Sequence, residues 1–375
     1  MQQPQSNLRR AKAAVIREKG GRFLMEEIQL QAPRADEVLV RVVACGVCHT
    51  DLIVRDQYFP CPLPMVLGHE GSGVIEAVGA DVKDFSVGDH VVMTYLSCGH
   101  CEPCSTGEAT YCTHTFPLNF GGSRLDGSGS TQDSHGHAIH DHFFGQSSFA
   151  TYSIANRRNI VKVDKDLPLE LLGPLGCGVQ TGAGAVLNVL QPKAGTSFAV
   201  FGAGAVGLSA LMAARIAGVT TLIAVDITPG RLELAKELGA THVINSRDVD
   251  PVQEVRRITG GGAHTTLETS GRPAVLRQAI DALRARGTCA IVGAPPAGTE
   301  ASFDVNEVMT QGRTIRGVIE GESIPSVFIP RLLELYRQGR FPFDKLVRFY
   351  DFDDINQAVA DAQSGLTVKP ILRMG

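Results

Sequence analysis

Cys98, Cys101, Cys104 and Cys112 stand in a C-x2-C-x2-C-x7-C run, and Cys48 and His69 are further candidate ligands outside it. At the spacing of the run, four thiolates can close a tetrahedral cage around one zinc ion. Four protein ligands leave such an ion no open position, so it would shape a lobe of chain (about residues 95–115) and touch no substrate. Ser97, Gly99, Pro103 and Gly107 suit the tight turns that wrap chain around a metal. The same cysteines could instead form two disulfides or remain idle thiols. The chain has nine cysteines and no apolar leader in Met1 to Asn7. A cytoplasmic setting, where redox buffers keep thiols reduced, therefore favours metal over disulfides.

A second chemical signal is Gly202-Ala203-Gly204-Ala205-Val206-Gly207, a G-x-G-x-x-G run between the apolar stretch Ser197–Phe201 and a helical pattern. The glycines make a tight turn, let backbone approach a pyrophosphate and permit close helix packing, while the helix N-terminus attracts the anion. Asp226 lies 19 residues past Gly207, at the end of the next expected strand, where a carboxylate can bind ribose hydroxyls. Asp226 would repel a ribose 2′-phosphate, so NAD is expected over NADP, with Arg231 able to reach the ribose. The bland reading is a turn glycine set and a solvated strand-end aspartate.

These residues need elements to hold them. At 375 residues and 43% hydrophobic content the chain can build two domains. Ala13 to Gly88 reads as short strands, with Val38 to Val43 mixing β-branched residues into an apolar run. Asn119 to Ser148, rich in Gly, Ser and His without periodicity, reads as an irregular surface connection. His135, His137, His140 and His142 within it are expected to be solvated, with adventitious metal binding as the alternative. From about Thr181 apolar strands (Ser197–Phe201, Thr221–Val225) alternate with helical stretches (205–217, 231–238), the pattern of a parallel sheet with crossover helices. The tail, ending in a strand over 368–372, is expected to return to the first domain. Thirty-five Lys+Arg against 39 Asp+Glu give no basic field for nucleic acid and no membrane anchor, and no run reaches membrane-span length.

Cys48, in Gly46-Val47-Cys48-His49-Thr50-Asp51, and His69, in Gly68-His69-Glu70, decide nothing alone. Together with the four-cysteine run, Gly176-Cys177-Gly178, Gln180-Thr181-Gly182, the Gly202 loop and Asp226, they make the chain resemble the zinc-dependent medium-chain alcohol dehydrogenases over nearly its whole length. That resemblance implies an α/β architecture in two parts. A GroES-like β-rich catalytic domain would take residues 1–178 and 321–375, and a Rossmann coenzyme domain 179–320. It further implies two zinc ions per chain, the catalytic one held by Cys48, His69 and Cys177 with a fourth position left open. Two thiolates and an imidazole suit zinc, whose open position makes it a Lewis acid toward an alcohol that gives hydride to a nicotinamide.

By the same resemblance Asp51 orients His69, Glu70 is a nearby carboxylate able to act as an alternate ligand, and Thr50 relays the alcohol proton. Ile53 departs from the family pattern, in which many members place a histidine there, so the resemblance does not extend to a histidine exit for the proton. His49 and Lys369 match positions near the coenzyme phosphates. Tyr95 and Phe143 or Phe144 match positions lining the substrate channel, where ordinary core packing is the alternative reading. Cys48 to Asp51 with Arg55-Asp56-Gln57-Tyr58 is similar to bacterial aryl-alcohol (benzyl-alcohol) dehydrogenases, which implies primary aryl or allylic alcohols and aldehydes as substrates and a homodimer or homotetramer. A thiol-adduct, formaldehyde-type dehydrogenase shares both zinc sites and is the enzymatic alternative. A zinc- and nucleotide-binding sensor without turnover is the non-enzymatic one.

Overall fold

The computed structural model describes residues 8–375 and divides them into two units. The first comprises the chain through Cys177 together with Ile324–Pro330 and Val347–Gly375; the second comprises Gly178–Ser323 and Arg331–Leu346.

The first unit is built on two sheets. One orders Met65–Val66, Arg9–Ile16, Leu24–Leu30, Thr131–Asp133 and Ala138–Ile139. The other runs Ile160–Val163, His90–Met93, Glu70–Val78, Glu37–Gly46, Lys369–Arg373 and Val347–Asp351, and Tyr152–Asn156 also pairs with Glu37–Gly46. The run 38–43 is apolar because its strand is central: Val38, Leu39, Val40, Val42, Ala44 and Cys45 are all buried. Each such aliphatic side chain contributes about 1.5–3 kcal/mol of burial before the entropy of ordering it. The tail does return here. Lys369–Arg373 pairs antiparallel with that central strand, Ile371 opposite Gly46. Its other neighbour, Val347–Asp351, is parallel to it and needs the crossover helix Ile355–Ser364.

One sequence expectation fails in this unit. Asn119 to Ser148 is no surface connection: it contributes two strands, and every residue from Asp141 to Ala150 is buried. Several of its polar residues are tolerated inside because they are bonded, one Asp141 oxygen to Ser130, Gln146 to the Gly71 N–H and the His69 carbonyl, Ser147 to the Val66 carbonyl, while the other Asp141 oxygen faces His142 Nε2 at 3.4 Å. His135 and His137 are exposed, whereas His142 is buried.

The second unit is a six-stranded parallel sheet, ordered His242–Asn245, Thr221–Asp226, Ser197–Phe201, Ala263–Glu268, Leu283–Ile291 and Thr314–Gly317. Its central strand is buried on both faces, from Ser197 to Phe201, as parallel sheets covered by helices require. The helices Ala205–Ile216 and Pro229–Glu237 lie close to the spans read from sequence; the second starts earlier because Pro229 takes the first helical position. Arg331–Leu346, assigned by sequence to the catalytic half, packs in this unit instead, around the buried rings of Phe341 and Phe343 beside Tyr336.

Candidate metal centre and coenzyme site

Cys48 caps the short helix His49–Arg55, and Asp51 reaches back to accept the Cys48 N–H at 2.9 Å. The spacing from Cys48 to Asp51 is thus a helix-cap geometry that fixes where the sulfur sits. The other Asp51 oxygen accepts the Gly68 N–H at 3.1 Å and stands 2.9 Å from His69 Nδ1. Both side chains are fully buried. With its proton held on Nδ1, His69 turns Nε2 inward, and that atom is buried without a hydrogen-bond partner. Cys177 arrives at the end of the turn Gly173–Gly176, pressed so close to the His90–Met93 strand that a Cβ on Gly176 would meet the Met93 carbonyl at 2.0 Å. One ligand atom each from Cys48, His69, Glu70 and Cys177 lies within 4.8 Å of the others. The hydrogen bond from Cys177, against the cost of burial, and then the Lys369 and His69 charges hold the Cys48 thiol well below its ordinary value. An orphaned imidazole nitrogen beside two sulfurs is a donor set that fits zinc.

Lys369 is committed differently from the sequence expectation. Its buried ammonium bonds both Glu70 oxygens, at 2.9 and 2.8 Å, and the Val47 carbonyl at 3.2 Å, so its three donors are used inside the first unit and none is left for a coenzyme phosphate. The reason is topological: the strand carrying it lies next to Glu37–Gly46, whose end faces Glu70. Against the cost of burial, the Glu70 and Cys48 charges hold Lys369 above its ordinary value, while burial, opposed by the Lys369 charge, raises the Glu70 carboxyl. Thr50 is half-buried in the first turn of the helix, its hydroxyl 3.8 Å from the Cys48 sulfur, while His49 is exposed and Ile53 is buried.

Phenylalanines wall the histidine. Phe144 stacks on the His69 ring at 4.4 Å and Phe143 meets it edge-on at 5.3 Å. Phe120 touches both, Phe116 stacks on Phe120 at 5.0 Å, and Phe59 closes against Phe116 and Phe120. The series runs from Phe116, 51% exposed, to fully buried Phe143. Phe59, Phe116 and Phe120 were missed from sequence; the four-residue spacing of Phe116 and Phe120 in the helix Thr115–Phe120 was the available signal. Tyr95 is buried in the same core.

The four clustered cysteines also converge. The Cys98 and Cys104 sulfurs are 4.0 Å apart and those of Cys101 and Cys112 3.8 Å, and backbone N–H groups of Cys101, Cys98 and His114 point at sulfurs from 3.3–3.4 Å. Backbone N–H groups of Cys104 and Thr113 bring Cys101 down to about 5. None of the nine cysteines is in a disulfide. Among the described residues these two groups are the ones in which three or more metal-ligating side chains meet.

In the second unit the Gly202 loop has the form that a dinucleotide needs. Gly202 takes a φ of +108°, a Cβ on Gly207 would strike the Gly202 carbonyl at 1.9 Å, and a Cβ on Gly204 would meet nothing within 4 Å. These are the three roles of turn, helix packing and open approach. Asp226 braces the loop by accepting the Ala203 N–H at 2.7 Å. Its other oxygen accepts the Ile227 and Thr228 N–H groups. Arg231 lies 4.0 Å from Asp226, its Nε buried without a partner. Val206 stands in the first turn of the helix, where its carbonyl lies under Gly182.

Residues 34–165 match the alcohol dehydrogenase GroES-like domain and residues 205–337 the zinc-binding dehydrogenase domain. Geraniol dehydrogenase of Castellaniella defragrans is 46% identical over 364 residues, 96% of this chain and 97% of that one. A benzyl alcohol dehydrogenase structure from Acinetobacter calcoaceticus shares 54% identity and a TM-score of 0.95 over 98% of this chain and all of that one. An alcohol dehydrogenase zinc-binding domain protein from Burkholderia ambifaria shares 61% identity and a TM-score of 0.97 over the same shares. The chain belongs to the zinc-dependent medium-chain alcohol dehydrogenases. No helix among the described residues is long and apolar enough to cross a membrane.

Proposed function

We propose that this enzyme oxidises primary alcohols bearing an aryl or allylic group to aldehydes, with hydride transfer to NAD, and that it carries two zinc ions. The carrying observation is the orphaned Nε2 of His69 beside the Cys48 and Cys177 sulfurs, under a wall of phenylalanine rings. Cys48, His69 and Cys177 would hold the catalytic zinc; Cys98, Cys101, Cys104 and Cys112 would hold the structural one. When bound, the catalytic zinc supplies a Lewis acid that makes an alcohol easier to deprotonate.

The chain's own residues do the rest. Asp51 keeps the proton on His69 Nδ1 and so keeps the Nε2 lone pair available. Thr50 Oγ1, which can accept and donate at once, accepts the alcohol proton while passing its own hydroxyl proton to solvent, since buried Ile53 offers no histidine exit. Lys369 neutralises Glu70, so the carboxylate is already bonded and balanced beside the ligands. The phenylalanine wall excludes water and offers ring faces and edges to a flat substituent. The names of the geraniol and benzyl alcohol dehydrogenases support the same substrate class. Asp226, aligned with the loop, disfavours a ribose 2′-phosphate, and Arg231 is placed to reach the ribose.

A homodimer or homotetramer in the cytoplasm belongs to this reading. The free thiols support the compartment, and exposed Val305 and Met309 near the edge strand Thr314–Gly317 support burial against another copy. With NAD, benzyl alcohol and geraniol should exceed ethanol and 2-propanol in kcat/KM by roughly 10-fold or more. Preference for the small alcohols would overturn the substrate reading, and equal kcat/KM with NADP the coenzyme reading.

A further inference from the structure

Beyond the single left-handed positions Gln191 and Arg286, the second unit concentrates strain in one run. Glu320, Gly321 and Glu322 are consecutive residues with φ of +50°, +63° and +46°, and two of them are not glycine. A left-handed glutamate is disfavoured by its Cβ, and a pair flanking a glycine persists only where surrounding contacts enforce it. Those contacts are present. Glu320 Oε2 receives the Gln180 amide and the Thr181 hydroxyl, each at 3.3 Å. Ser323 Oγ donates to the Gln180 Oε1 at 2.9 Å or the Glu320 carbonyl at 2.8 Å. Asn188 donates to the Gly321 carbonyl at 3.0 Å, and Arg316 grips Glu322 through both oxygens. Gly321 can only be glycine, since a Cβ there would meet the Gln180 carbonyl at 2.5 Å.

The turn's place in the sheet gives it a ligand. In an open parallel sheet a dinucleotide lies across the carboxyl ends of the strands at the point where the strand order reverses. The order reverses at Ser197–Phe201, and Asp226 ends the strand on one side of it. If Asp226 marks the adenosine half, the nicotinamide half extends over the ends of Ala263–Glu268, Leu283–Ile291 and Thr314–Gly317. The strained turn follows the last of these strands directly, and Val318 still bonds the Ile291 carbonyl at 2.9 Å. We infer that Glu320 is a positioning residue for the nicotinamide end of the coenzyme: its carboxylate, anchored on Gln180 and Thr181, holds the left-handed turn in the shape that receives the nicotinamide. This rests on the coenzyme site proposed above.

The test uses two probes on the holoprotein, NADH and ADP-ribose, which lacks the nicotinamide, with binding read by calorimetry. Glu320→Gly removes the strain and the anchor together. It should raise the thermal midpoint without ligand, weaken NADH about 10-fold or more and leave ADP-ribose within about 2-fold, a change of about 1.4 kcal/mol for NADH alone. Glu320→Gln keeps an acceptor oxygen for Gln180 and Thr181 and should restore NADH binding to within about 3-fold, with KM for NAD moving more than kcat. Equal weakening of both probes, or of neither, would overturn the assignment. Failure of ADP-ribose to bind the unaltered enzyme would instead remove the coenzyme reading itself.

Discussion

The two cysteine clusters are assembled in opposite ways. Cys98 to Cys112 bring four thiols together within one short, partly exposed lobe, and local turns aim backbone N–H groups at the sulfurs. Cys48, His69 and Cys177 come from a helix cap, a strand start and a distant turn, and they meet where a buried aspartate, a lysine–glutamate pair and stacked rings fix every neighbour. On the reading proposed above, the first arrangement would saturate an ion and serve only to hold chain together. With Cys48, His69 and Cys177 as its proposed ligands and Glu70 held by Lys369, the second would leave one position to be filled, among groups that orient and balance charge. Ligand type alone does not separate a structural from a catalytic centre; what does is the number of protein donors and the shell that supports them.

That contrast can be broken first at its strongest point. Cys177→Ala should lose one zinc equivalent of two and lower turnover about 1,000-fold or more, corresponding to several kcal/mol of lost transition-state stabilisation, while circular dichroism stays unaltered. Two equivalents retained by metal analysis would contradict it. Cys101→Ser should do the reverse, losing the other zinc and the thermal midpoint while turnover per folded molecule stays near normal. Next comes Thr50→Val, expected to reduce kcat about 100-fold or more with both zinc ions retained. Asp51→Asn should cost about 10–100-fold in metal affinity or activity, visible as zinc loss to a chelator from the catalytic centre alone.

The smallest effect concerns what ties the two regions together. Arg124, just past the cysteine lobe, bonds both oxygens of Glu37, at 2.5 and 2.9 Å, where the strand leading toward Cys48 begins. Against the cost of burial, Arg124 holds the Glu37 carboxyl below its ordinary value. A depressed folded-state carboxylate stabilises the protein above its unfolded value of about 4.3 and loses that contribution as pH falls further. Glu37→Gln should therefore lower the thermal midpoint at pH 7, and the gap to the unaltered enzyme should narrow below about pH 4. A gap independent of pH would mean that packing, and not the charge pair, is what the substitution removes.

The same contrast explains what could be read in advance. The four-cysteine lobe and the Gly202 loop are local, so spacing exposes them. The catalytic ligands lie far apart in sequence, and only the resemblance joined them. Lys369 was misplaced because a basic residue in the tail carries no sign of its strand partner; pairing with Glu37–Gly46 is what brings it to Glu70. The stretch from Asn119 to Ser148 was misread because composition cannot show that Gln146 and Ser147 are bonded inside a core. The aromatic wall was only partly legible, since Phe59, Phe120 and Phe143 belong to separate segments.

The strand bearing Lys369 also sets an order on synthesis. Val47 and Lys369, bonded through the Val47 carbonyl, are 322 residues apart. A ribosome making this chain vectorially synthesises the entire second unit before the strand that pairs with residues 44–46 exists. Until then the end of Glu37–Gly46 at residues 44–46 lacks that neighbour, although Tyr152–Asn156 can already pair with residues 37–41, and Glu70 lacks its counter-charge. Nascent catalytic halves are thus the aggregation-exposed species, and co-translational metal loading would meet an unfinished pocket.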